Sequence, residues 1–112
     1  GLLVAVMIES HAGFDAIEEI AAVEGIDMLF LGPLDLTTDF GAFGDLASTN
    51  LIAALRAAER RILATGKLLG GAALPSEPPK AMFARGYSMV SATSDVSLLR
   101  DAAAQALHVI QP

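Results

Sequence analysis

Cysteine and tryptophan are missing from this chain, and tyrosine occurs once. Without cysteine there is no disulfide, no thiolate nucleophile and no Cys-based zinc site. That absence fits a reducing compartment, and a cytoplasmic location is expected. Basic residues are few: seven Lys and Arg stand against thirteen Asp and Glu, for a formal charge of −6. Polyanions are held by Lys/Arg patches, so neither nucleic acid nor an anionic membrane surface is expected as a partner. No apolar run approaches the roughly 18 residues needed to cross a bilayer, so a soluble domain is expected. Residues 1–8 are apolar, but no basic region precedes them and no small-residue cleavage site follows, which argues against a signal peptide. An initiator Met is also absent, and the chain starts inside what reads as a strand, so a fragment or processed product is expected.

What is present is a chain of 112 residues, 54% of them hydrophobic, enough for one globular domain over residues 1–112. Its punctuation is regular. Residues 2–8 form a continuous apolar run, the pattern of a strand buried on both faces of a parallel sheet. Ser10 can cap a helix whose apolar positions are Phe14, Ile17, Ile20 and Ala21, with Gly25 as its stop. Residues 26–31 read as a second buried strand, ended by Gly32-Pro33. Residues 34–45, with Gly41 and Gly44, read as a functional loop carrying one helical turn.

Ser48 or Thr49 caps the next helix, whose buried stripe is Leu51, Leu55, Ala58 and Ile62. Its outer face carries Arg56, Glu59, Arg60 and Arg61, and Gly66 ends it. Residues 67–74 read as the third strand, where Gly70-Gly71 mark close backbone approach. A short helix follows from the prolines at 75–79 to Ala84, Gly86 closes it, and residues 87–91 form the fourth strand. Ser94 or Asp95 caps a final helix, for which Leu98, Leu99, Ala102, Ala106 and Val109 are expected to form a buried stripe.

Buried strands alternating with helices imply a parallel sheet with right-handed crossovers. Four such strands form either a small doubly wound domain or half of a (β/α)₈ barrel. Pattern alone admits both, and either would leave strand edges that template association unless covered.

Glu9 closes the first strand and Asp35 follows the second by a Gly-Pro turn, a separation of one βα unit. Both carboxylates therefore arrive at the C-terminal ends of neighbouring strands, where α/β folds place their active sites. Two hard oxygen ligands on one rim suit Mg²⁺, Mn²⁺ or Co²⁺ with positions left for substrate. An acid just past a strand also serves as a helix cap at the dipole's positive end, so the pair carries two readings. The turn at Gly32, Pro33 and Leu34 offers backbone N–H groups, with Thr37 or Thr38 nearby, that could seat a small carboxylate. It reads equally well as an ordinary strand-to-helix turn.

His11 lies near the same mouth but also suits the first helical turn, and His108 complements a helix C-terminus. Arg56, Arg60 and Arg61 read as a solvated helix face. Lys67 starts a strand at the end opposite the rim, which disfavours a Schiff base. No phosphate loop or nucleophile elbow is present.

Three strings carry a resemblance: Val6-Met7-Ile8-Glu9-Ser10; Ile17-Glu18-Glu19-Ile20-Ala21-Ala22-Val23-Glu24-Gly25-Ile26-Asp27; and Leu29-Phe30-Leu31-Gly32-Pro33-Leu34-Asp35-Leu36-Thr37. Together with Ala64-Thr65-Gly66-Lys67, the turn Ala84-Arg85-Gly86-Tyr87 and Ser94-Asp95-Val96-Ser97-Leu98-Leu99, they resemble the HpcH/HpaI aldolase family over nearly the whole chain. The resemblance implies the C-terminal half of a (β/α)₈ TIM barrel from the metal-dependent class II pyruvate aldolases. It implies Glu9 and Asp35 as ligands of a divalent metal, Leu34 N–H as the donor to the pyruvate carboxylate, and reversible aldol cleavage to pyruvate plus an aldehyde. Many family members have Gln where this chain has Met7. The family's catalytic His and its enolate-stabilising Arg belong to the first half of the barrel, so the catalytic base and Arg are expected outside these residues. A homo-oligomer, or pairing with an N-terminal half-barrel, is the expected assembly. Two rival readings remain: a non-catalytic half-barrel that folds by association, and an acyl-CoA lyase of the citrate-lyase-beta type.

Overall fold

The computed structural model describes residues 1–110. Strands β1 (Ala5–Ile8), β2 (Met28–Leu31), β3 (Leu68–Ala72) and β4 (Tyr87–Ser91) form one sheet in the order β1-β2-β3-β4. Every neighbouring pair is parallel. Between and after them run α1 (His11–Asp15), α2 (Ile17–Ala21), α3 (Pro33–Asp39), α4 (Thr49–Ala64), α5 (Pro79–Ala84) and α6 (Asp95–Ile110). A strand order that follows the sequence has no reversal point, which removes the doubly wound alternative and leaves the half-barrel.

Crossovers of one hand place successive helices on one face of such a sheet, and the core lies there. Ile8, Leu29, Leu31, Leu69 and Tyr87 from the strands meet Ile17, Leu51, Leu55, Ala58, Ile62 and Met82 from the helices. Alternation sends Met7, Met28, Phe30, Leu68 and Met89 to the opposite face. This second face is apolar as well, which is why the strands read as unbroken hydrophobic runs. Met7, Leu68 and Met89 are exposed on it. Glycine makes the β2–β3 contact close: a Cβ at Gly70 would sit 2.7 Å from both Met28 Sδ and Phe30 Cδ2.

The expected single helix after Ser10 is two short ones, broken at Ala16. Ser10 caps the first as expected, its hydroxyl accepting from Gly13 N–H at 3.1 Å. At the break the Arg61 guanidinium donates to Phe14 O at 2.6 Å and Asp15 O at 3.2 Å. Helix-end carbonyls need partners, and the cation on α4 supplies them. The loop expected over residues 34–45 contains a longer helix than one turn, since α3 runs for seven residues.

The largest correction concerns α6. Its apolar stripe was expected to be buried, yet none of its residues is, and Leu98, Leu99 and Val109 are all exposed. Amphipathic spacing specifies that a helix has an apolar face, not which surface covers it. Here α6 projects from the body. The radius of gyration is 16.0 Å, against about 13 Å for a compact chain of this size. Among the described residues no helix is long and apolar enough to cross a membrane.

Candidate active site

The parallel ladder between β1 and β2 continues one step past both strands, with Gly32 N–H donating to Ile8 O at 3.1 Å. That bond fixes Glu9 beside Gly32 at the C-terminal rim. The fit is close: a Cβ at Gly32 would lie 3.0 Å from Met7 Cε, 3.3 Å from Glu9 Cβ and 3.6 Å from Glu9 Oε2. A side chain at position 32 would press on both residues, so the absent Cβ is what lets the Glu9 side chain lie across the turn.

Pro33 then occupies the first position of α3, where its fixed φ suits a helix start. The helix is anchored from below by Leu36 and Thr37, both fully buried. The Thr37 hydroxyl donates to Leu34 O at 2.6 Å and accepts from Gly44 N–H at 2.8 Å. Thr37 is therefore committed to holding the loop, which corrects the expectation that it could face a bound carboxylate. With Leu36 and Thr37 turned inward, Leu34 and Asp35 are left exposed on the rim.

Glu9 and Asp35 thus flank one turn, on adjacent strand ends. Neither takes part in an ion pair among the described residues. No group of three or more His, Asp or Glu side chains gathers there among those residues. Two uncommitted carboxylates with open positions match the way small divalent cations keep water and substrate ligands. The rim borders a groove of about 770 Å³, with Met7, Leu34 and Asp35 on one bank and Glu77, Ser94 and Arg100 on the other.

His11 opens α1, two residues past Glu9. Its backbone N–H donates to Asp39 Oδ2 at 2.8 Å, and its Nε2 lies 3.1 Å from Asp39 O. The imidazole stacks on Phe40 at a centroid distance of 4.2 Å. Lys67 donates from Nζ to Ile26 O at 2.6 Å, at the N-terminal end of the sheet and away from the rim. His108 is exposed near the end of α6.

The arginine face of α4 is not simply solvated. Arg61 pairs with Glu18 of α2, and this hydrogen bond lowers the Glu18 pKa to about 2. Arg56 donates to Glu59 at 2.6 Å and to Glu77 at 2.9 Å. Glu59, expected on the outer face, is only 4% exposed. It accepts from Arg85 Nε at 3.1 Å and from Tyr87 OH at 2.8 Å. Arg85 also forks onto Glu77, with Nη2 2.9 Å from Oε2. Burial works to raise the Glu77 pKa, but hydrogen bonds from Arg85 and Arg56 outweigh it and hold the carboxyl below its ordinary range. This network was missed from the sequence, although a signal existed. Glu59 follows Leu55 by four residues and precedes Ile62 by three, which puts it within the buried stripe.

The pattern of the HpcH/HpaI aldolase/citrate lyase family matches residues 1–102. The chain belongs to that family. A hydroxypyruvate/pyruvate aldolase of Delftia acidovorans is 39% identical over 102 residues, which is 91% of this chain and 38% of that protein. A 2-keto-3-deoxy-L-rhamnonate aldolase of Escherichia coli O1:K1 / APEC is 33% identical over 110 residues, 98% of this chain and 41% of that enzyme. Among solved structures, an HpcH/HpaI aldolase/citrate lyase family protein from Burkholderia cenocepacia superposes with a TM-score of 0.81 at 32% identity. That match covers 99% of this chain and 43% of the other. The chain therefore spans roughly two fifths of the length of the curated relatives it matches.

Proposed function

We propose that this chain carries the metal-binding half of a class II aldolase site. The reaction is reversible aldol cleavage of a 2-keto-3-deoxy or 4-hydroxy-2-oxo acid to pyruvate plus an aldehyde. The observation that carries the reading is the placement of Glu9 against Gly32 with Asp35 one helical turn further on, both carboxylates uncommitted at one rim. The donor set fits a hard divalent cation, Mg²⁺, Mn²⁺ or Co²⁺, held by Glu9 and Asp35. Such a cation, when bound, supplies Lewis-acid polarisation of a carbonyl oxygen.

The chain's own groups do the rest of the positioning. Leu34 N–H, in the first turn of α3, has no backbone acceptor within its helix and is placed to donate to the carboxylate of a keto acid. Gly32 and Pro33 shape the turn that admits that carboxylate. Met7, exposed on the rim, presents an apolar wall to the rest of the substrate. A general base must lie within hydrogen-bond reach of the proton it takes. His11 is engaged by Asp39 and Phe40, so the base and the Arg that completes the site come from outside these residues. The family's relatives named as aldolases support this reading, as carbon–carbon lyases acting on keto acids.

A second reading is favoured by one observation, the uncovered apolar face of the sheet: a half-barrel whose role is to complete another by association. Loss of the pyruvate methyl proton signal in D₂O, measured with the N-terminal half-barrel that supplies the base also present, separates the two. Exchange that needs Mn²⁺ or Mg²⁺ and disappears in Glu9→Ala and Asp35→Ala supports the aldolase. Exchange that survives both substitutions refutes the ligand assignment, and Mn²⁺ binding without exchange favours the associating half-barrel. Turnover that depends on a CoA ester would instead point to an acyl-CoA lyase.

A further inference from the structure

We infer that His11 and Asp39 are positioning residues that set the spacing between Glu9 and Asp35. The inference rests on the proposed site, because it concerns how the two carboxylates are held rather than what they hold. Glu9 lies in the short segment between β1 and α1, and Asp35 lies on α3. The ladder bond from Gly32 N–H to Ile8 O joins these segments on the sheet side. Nothing in the sheet restrains their outer sides, where α1 begins and α3 ends.

The clamp closes that gap. Asp39 receives the His11 backbone N–H on Oδ2 at 2.8 Å, and its own carbonyl faces His11 Nε2 at 3.1 Å. With a carbonyl as the acceptor, the imidazole nitrogen is the donor. The same ring stacks on Phe40 at 4.2 Å, tilted by 31°. Phe40 in turn meets the buried Phe14 ring edge-on at 6.0 Å. Two hydrogen bonds and an aromatic relay thus tie the residue two past Glu9 to the residue four past Asp35. A chain fixed on both sides of a ligand pair has fewer arrangements to lose when a cation binds, which is the gain from preorganisation.

The test is Mn²⁺ affinity, measured on the full chain from the electron paramagnetic resonance of free Mn²⁺. Removing an outer partner of a metal site lowers affinity by roughly 10–100-fold. Acting through backbone, Asp39→Ala is expected at the lower end, about tenfold weaker. Asp39→Asn retains an acceptor oxygen for the His11 N–H and keeps most of the affinity. His11→Phe keeps the stack, loses the Nε2 bond and falls between the two. A metal-free readout accompanies these: the His11 amide exchanges faster in Asp39→Ala and remains protected in Asp39→Asn. Glu9-dependent Mn²⁺ binding that Asp39→Ala leaves unchanged overturns the clamp and leaves the site standing. Binding that is equally tight in Glu9→Ala overturns the site, and the clamp's role with it.

Discussion

Replacing Arg85 with alanine tests whether the buried charges hold α5 and β4 against α4. Arg85 is 27% exposed on its side chain, and its partner Glu59 is 5% exposed. The substitution removes two hydrogen bonds to Glu59 and the fork onto Glu77. Removing one partner of a buried ion pair destabilises by about 3–5 kcal/mol, because the remaining charge stays desolvated. Glu59 is not stranded here, since Arg56 at 2.6 Å and Tyr87 OH at 2.8 Å remain. The expected loss therefore sits near the lower limit, about 3 kcal/mol. With a urea m-value of about 1.5 kcal/mol/M, the unfolding midpoint falls by about 2 M at constant m.

Arg85→Lys keeps the charge but not the planar fork, and should recover part of that difference. Arg60→Ala, on the exposed face of α4, serves as the control and stays within about 0.5 kcal/mol of the wild type. The gap between wild type and Arg85→Ala also depends on pH. The folded Glu77 pKa lies below its usual value of 4.5, so its stabilisation is complete above that value and is lost as pH falls through the folded pKa. The gap should narrow in acid. A loss below about 1 kcal/mol near neutral pH, the size expected of a surface ion pair, would refute the claim that this network is desolvated.

Two further outcomes follow from the same face of the molecule. Burial, with the hydrogen bond to Glu59 next, raises the Tyr87 pKa well above its usual 10, so its folded-state contribution is intact below pH 10 and is lost as pH rises further. Tyr87 is the sole tyrosine and there is no tryptophan, so tyrosinate absorbance reads this group directly; ionisation at the ordinary pH in the folded chain would contradict its burial. Gly71→Ala places a Cβ 2.8 Å from Tyr87 Cε1 and 3.4 Å from Leu31 O, and should destabilise by about 1–3 kcal/mol in thermal or urea unfolding. No change there would mean the Tyr87 ring can yield despite its bond to Glu59.

The order of elements was legible because each strand is marked by apolar residues on both faces and each helix by spaced ones, with Gly25, Gly66 and Gly86 between. All three glycines have positive φ, of 88°, 78° and 105°, a region that disfavours other residues. The rim position of Glu9 and Asp35 was legible for the same reason, since Glu9 directly follows β1 and Asp35 follows β2 across the Gly32-Pro33 turn. The long-range pairings were not. The Arg61 bonds to Phe14 O and Asp15 O span more than forty residues, and no local pattern predicts which carbonyls a distant cation will reach. The His11–Asp39 link was hidden likewise: each residue alone suits an ordinary helix end, and only register brings them together.

Glu59 and α6 illustrate opposite errors with one cause. Glu59 was assigned to solvent because it is charged, and α6 to the core because it is apolar. Burial depends on what faces a side chain as well as on its chemistry. Glu59 meets two guanidinium groups and a phenol that satisfy its carboxylate, so desolvation is offset. No residue of α6 is buried within the described chain, and Val96, Leu98, Leu99, Leu107, Val109 and Ile110 remain exposed. Met7 and Met89 on the sheet's second face share that condition. Large exposed apolar patches mark interaction surfaces, and Met7 lines the same groove as Leu34 and Asp35.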